Sequence, residues 1–218
     1  MFAGRCISAT HAALSSTRVM GTCSSIGQAV GTAAAMAAAR RVMPADLLGT
    51  IVDLQQALLS DDCYLPWIAQ EMPPLTRRAK LTASQGDPEP LRDGVSRPVG
   101  DDSHAWHCKP GDWIAYSFDG EQPISEITLI LDSALEKDIS LSLYGGHHNQ
   151  LFQLPGVVPR KLRIDGLSAG QWQLLHEIED NHQRFLRFMV DRPLASVRVT
   201  INDLWRGQDS RVYAFHIA

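Results

Sequence analysis

From Trp113 to Ile217 the chain is a series of short segments in which roughly every second residue is apolar. They are "WIAYSF" (113–118), "ISEITLILD" (124–132), "ISLSLY" (139–144), "KLRI" (161–164), "QWQLLHEI" (171–178), "RFLRFMV" (184–190), "SVRVTI" (196–201) and "RVYAFHI" (211–217). Successive side chains of a strand point to opposite faces, so a period of two sorts such a segment into an apolar face and a polar face. Ile127, Leu129 and Leu131, then Ile139, Leu141 and Leu143, then Val197, Val199 and Ile201 would form the inward faces. Eight such runs separated by turn residues predict an antiparallel β-sandwich.

Upstream the pattern changes. Pro66, Pro73 and Pro74 mark an extended linker, and 87–100 is rich in turn residues. Two parts follow: residues 1–70, a short helical segment, and residues 71–218, linker plus sandwich, so the chain as a whole is α+β. Within the first part, Thr50-x-x-Asp53 reads as a capping box, and Ile51, Leu54 and Leu58 share one face of a helix ending near Ser60. Asp61 and Asp62 after that helix read as solvated acids.

The stretch "GRCISATHAALSSTRVMGTCSSIGQAVGTAAAMAAARR" (4–41) is not a signal peptide, because Arg40 and Arg41 follow the apolar run instead of preceding it. It is not a membrane span either: 23–39 is short of the ~20 strongly apolar residues a span needs and contains Ser24, Ser25, Gln28 and Thr32. An alanine-rich helix with Thr22 or Ser24 as N-cap fits better. Gly27, Gly31 and Ala35 recur every four residues and leave one bare face, open to close approach by another backbone. Glycine costs a helix about 1 kcal/mol relative to alanine, so two on one face point to a packing contact. The free N–H groups and positive dipole end at the start of such a helix suit an anionic or electron-rich ligand.

This stretch, with "DLQQALLSDDCYLP" (53–66) after it, resembles the C-terminal part of a family of bacterial FAD-dependent oxidoreductases. The resemblance implies the last piece of an FAD-binding domain, with the segment after Arg18 along the flavin and the small-residue helix aimed at the isoalloxazine and ribityl end. It implies Arg5, Thr17, Arg18, Val19, Met20, Thr22, Cys23 and Gln28 as cofactor neighbours, with Gly27 and Gly31 as packing positions. A dinucleotide-binding domain of this type opens with a strand and GxGxxG, and no GxGxxG occurs in this chain. The expectation is therefore a fragment of an FAD-dependent oxidoreductase, lacking the N-terminal half of its FAD domain. Alone it should be inactive and should not retain FAD. Substrate and catalytic residues are not readable.

The order from "LTASQGDPEPLRDGVSRP" (81–98) through "RVYAFHI" resembles a discoidin-like, galactose-binding-type sandwich. That implies an accessory domain. A rival reading makes it a carbohydrate- or partner-binding module without redox activity, and a third a docking or oligomerisation module. Glycan binding would need an exposed aromatic face beside polar side chains. Its candidates are Trp106, Trp205 and Arg206, with Asp101, Asp102, His147, His148 and Asn149 as neighbours. His104, His107 and Cys108 do not make a metal site, since no fourth ligand is implied; Asp93, Asp101 and Asp102 read as solvated loop acids before calcium ligands. Cys6, Cys23, Cys63 and Cys108 are too far apart for a CxxC site or a dense disulfide scaffold. A net charge of −4 without any Lys/Arg run argues against nucleic-acid binding.

Overall fold

The computed structural model describes residues 1–134 and 154–218. The predicted strand 139–144 and the candidates His147, His148 and Asn149 lie outside the described residues. The chain forms two compact units, Met1–Gln70 and Glu71–Ala218.

The first unit is helical. A 3₁₀ turn, Gly4–Cys6, and a short helix α1, Leu14–Thr17, precede the long helix α2, Met20–Arg40. A second 3₁₀ segment, Pro44–Thr50, leads into α3, Ile51–Ser60. Its core is small: Ala33, Ala37 and Leu47, with Met36 and Leu54 packed against them. Helix α2 ends where Arg41 takes a left-handed conformation (φ 55°) and the Val42 N–H returns to the Ala37 carbonyl at 3.0 Å, closing the last turn. The expected capping box at Thr50 does not form. Both of its polar groups are taken by Arg40, whose guanidinium donates to Thr50 Oγ1 at 3.0 Å and to Asp53 Oδ2 at 2.7 Å. A cation at the end of α2 competes successfully for the oxygens that would otherwise cap α3.

The second unit is an antiparallel sandwich. It opens with a five-residue helix α4, Pro74–Arg78, and continues through β1 (Lys80–Ala83), β2 (Trp106–Cys108), β3 (Trp113–Leu131), β4 (Pro159–Ser168), β5 (Gln171–Ile178), β6 (Phe185–Leu204) and β7 (Ser210–Ile217). Two pairs of predicted runs merge: 113–118 with 124–132 into β3, and 184–190 with 196–201 into β6. Asp119, Gly120 and Pro123 read as a turn, yet the chain passes through them as a register shift between Ser117 and Gln122, with Gly120 at φ 88°.

These two long strands belong to both layers. The first half of β3 pairs with β1 and with the second half of β6, which continues through β4 to β5. The second half of β3 pairs with the first half of β6 and with β7, which carries β2. The core lies between the layers and holds Ile114, Tyr116, Ile127, Leu129, Leu131, Val197, Val199, Ile201 and Phe215, all buried. Tyr116 of one layer and Phe215 of the other meet with ring centroids 4.8 Å apart. Gly166 in β4 admits this packing: a Cβ there would stand 2.8 Å from a Leu194 methyl carbon. The sandwich closes on itself at Thr76 of α4, fully buried, whose hydroxyl donates to the Ile217 carbonyl (2.9 Å) and accepts from the Ile217 N–H (2.7 Å).

Candidate functional site

The residues implied as cofactor neighbours gather around the corner between α1 and α2. Leu14–Thr17 is held by bonds to Ala13: the Thr17 hydroxyl donates to its carbonyl at 2.8 Å. Arg18 ends that turn, its N–H on the Leu14 carbonyl, and Val19 then adopts extended geometry (φ −75°, ψ 153°) and starts α2. Thr22 and Ser24 are therefore not N-caps, as the sequence suggested, but sit inside the helix. Thr22 Oγ1 instead donates back to the Ser16 carbonyl at 3.1 Å, and the Cys23 thiol faces the Thr17 carbonyl at 3.8 Å. These two contacts brace the corner.

The start of α2 consequently carries no side-chain cap and no acidic residue in its first turn. The unpaired N–H groups there and the positive end of the helix dipole can receive an acceptor. Val19 and Met20 stand in solvent at the opening, Met20 being 90% exposed.

At about 100° per residue, the eight residues divide along the helix. Thr22 and Cys23 are half-buried on the side that continues into Ile26, Ala33 and Ala37. Met20, Gly27, Gln28, Gly31 and Ala35 share the opposite, exposed side. Arg5 is exposed in the 3₁₀ turn that packs beside α2, and Arg18 is half-buried. The bare face is open: at Gly27 and Gly31 a built Cβ meets no atom within 4 Å. The geometry supplies helix donors, a flat small-residue face and two arginines. It does not supply the other half of a dinucleotide site, because none of the described residues of Met1–Gln70 forms a strand, and a diphosphate cradle of this kind is built on a strand, a glycine-rich turn and a helix. Helix donors beside a flat face of small residues suit an anionic or electron-rich ring system.

In the sandwich, the sugar-platform candidates separate. Trp106 is a core residue, 1% exposed, with its indole N–H donating to the Gln85 carbonyl at 2.8 Å. It cannot stack on a ligand. Trp205 is half-buried, donates its N–H to the Asn181 carbonyl and lies under the Arg160 guanidinium, 5.0 Å from the ring centre. Arg206 and Asp101 are exposed. Asp102 bonds the His104 N–H (2.9 Å), and the His104 ring meets Asp93 Oδ2 at 2.7 Å, so these loop acids organise their own turn. Burial pushes the Cys108 thiol up to about 12, which keeps it protonated at neutral pH. Among the described residues no group of three His, Cys, Asp or Glu side chains converges on a point.

The helical unit and the antiparallel sandwich define a two-part α+β chain. Residues 1–58 match the model of the FAD dependent oxidoreductase family. No curated protein sequence gives a match. The sandwich is similar to solved carbohydrate-binding modules. One is the family 32 module of Streptococcus pneumoniae EndoD, 12% identical over 66% of this chain and 97% of that one, with a TM-score of 0.48. Another is the family 32 module of C. perfringens NanJ, solved in complex with galactose: 10% identical, covering 65% and 94%, TM-score 0.46. A third is chitosan-binding module 1 of a chitosanase/glucanase from Paenibacillus sp. IK-5: 12%, 66% and 97%, TM-score 0.44. No helix of the described residues is long and apolar enough to cross a membrane.

Proposed function

We propose that residues 1–70 form the flavin-side closing segment of an FAD-dependent oxidoreductase, and that the sandwich is its accessory domain. The observation that carries this reading is the coincidence of the family match over residues 1–58 with an uncapped α2 N-terminus beside a bare glycine face. When bound, FAD supplies the redox chemistry by accepting or donating electrons at its isoalloxazine ring. This chain's own contribution is positional. The N–H groups at the start of α2 would face the flavin end, with Arg18, Val19 and Met20 along it and Thr22 and Cys23 fixing the corner. Arg5 and Gln28 would border the site from the 3₁₀ turn and the exposed side of α2. The partner on the bare face would be the half of the FAD domain that carries the glycine-rich turn.

The purified chain should hold no stoichiometric FAD, because the donors that fix the diphosphate are missing from its sequence. Absorbance at about 450 nm after gel filtration in excess FAD reads this directly. One FAD per chain would overturn the division of labour proposed here.

Sugar binding through the named tryptophans is not part of this reading. Titration with galactose at millimolar concentration is expected to give no saturable fluorescence response that depends on Trp106 or Trp205, since Trp106 is buried and Trp205 is already covered by Arg160. A saturable response that disappears in Trp205→Ala, with the fold retained, would replace the accessory reading with the carbohydrate-binding one.

A further inference from the structure

We infer that strand β5 is a self-association edge, through which two copies of this chain join their sheets in antiparallel fashion around Gln173. Among the described residues β5 ends the sheet order β2-β7-β3-β6-β4-β5. A strand in that position presents a row of open N–H and C=O groups, and natural edges are blunted with lysine, proline or charge. The segment Gln171–Leu175, "QWQLL", has none of these. Instead it displays two large apolar side chains on the outer face, Trp172 at 44% and Leu174 at 47% exposure.

Trp172 is held in place before any partner arrives. The Arg198 guanidinium lies over its ring at 4.5 Å. Arg198 is in turn anchored on the buried Asp165, 3.5 Å away, which Arg163 grips with Nε at 2.9 and 3.0 Å from its two oxygens. One side of the indole is thus fixed by an arginine, and an ordered aromatic side chain loses little entropy on docking.

The register follows from the faces. Residues directly opposite in an antiparallel pair point to the same side, so a two-fold pairing that keeps the outer faces continuous must match residues of like parity. Centring on Gln173 sets Trp172 against Leu174 of the second copy, twice over, with Gln171 opposite Leu175. No charged residue falls in the paired window, so nothing repels. Centring on Trp172 would put Leu174 against Gly170, which is in a turn with φ 75° and cannot extend a strand. The irregularity where Leu174 and His176 pair with Asp165 and Ile164 ends the regular stretch on the other side. The edge therefore accepts one short partner in one register, and a copy of itself matches both apolar side chains.

The full chain is tested by light scattering after gel filtration at about 100 µM, where a dimer is expected. Leu174→Lys and Trp172→Lys should each raise the dimer dissociation constant at least about tenfold, while Met189→Lys, an exposed apolar position on β6, should leave it unchanged. In Gln173→Cys, oxidation should yield a 173–173 disulfide in peptide maps, because opposed Cα atoms of an antiparallel pair stand within disulfide reach. Gln171→Cys should not cross-link to itself. A monomer at this concentration, a dimer indifferent to both lysine variants, or cross-linking at 171 in place of 173 would each overturn the inference.

Discussion

Thr76→Val should destabilise the sandwich by about 3 kcal/mol, measured as a lower denaturant midpoint with an unchanged slope. Valine matches threonine in shape, so packing is preserved and only the hydroxyl is lost. Among the described residues that hydroxyl is the partner of both backbone groups of Ile217, a residue with no solvent access. Removing it strands a buried N–H and a buried C=O, and each such group costs about 1–3 kcal/mol. Thr76→Ser keeps the hydroxyl and should retain most of the stability. Tryptophan fluorescence is a suitable probe, since Trp106 is buried in this unit. A Thr76→Val midpoint equal to that of the wild type would show that the bond is dispensable.

Acid should weaken the same unit through His216. This side chain is 5% exposed, and its Nε2 has no hydrogen-bond partner among the described residues. Burial lowers its pKa from 6.5 to about 4. Above pH 6.5 the ring is neutral whether the protein is folded or not, and it contributes no pH dependence. Between 6.5 and 4 the unfolded chain takes up a proton that the folded chain refuses, so stability falls as the pH falls. The loss levels off below 4, having reached about 3 kcal/mol. His216→Gln removes the titration. The difference in unfolding free energy between wild type and variant, followed from pH 7 to pH 4, should change by that amount. A difference independent of pH would mean that His216 is protonated in the fold at little cost.

The sandwich was legible because its core obeys a period of two. Val197, Val199 and Ile201, and Ile127, Leu129 and Leu131, are all at 0% exposure. Strand continuity was not legible. Asp119, Gly120 and Pro123 are turn formers by local chemistry, but pairing on both flanks carries the strand through them as an irregularity. Local preference lost to tertiary pairing. His216 shows the limit of alternation. It falls on the face opposite Phe215 and Ile217, which simple patterning leaves to water, yet a second apolar cluster of Ala105, Ile130, Tyr213 and Ala214 forms in this part of the sheet. Trp106, a candidate for an exposed aromatic face in the sequence, is a core residue; β2 is three residues long and too short to display a period that would have shown it. In the helical unit the bare face of α2 was plain from Gly27, Gly31 and Ala35. Its first residue was not, because no polar side chain marks a start at Val19.

Strands β3 and β6 run through both layers of the sandwich. A sandwich made of two separate sheets is joined across its core only by side-chain packing. Here neither layer can be peeled away without tearing the strands that build its opposite number. The two long strands work like warp threads shared by two cloths, so local opening in one layer is felt at once in the other. Unfolding of this unit is thereby tied into a single cooperative event. Damage at either end of β3 or β6 then counts against the whole sandwich and not against one sheet.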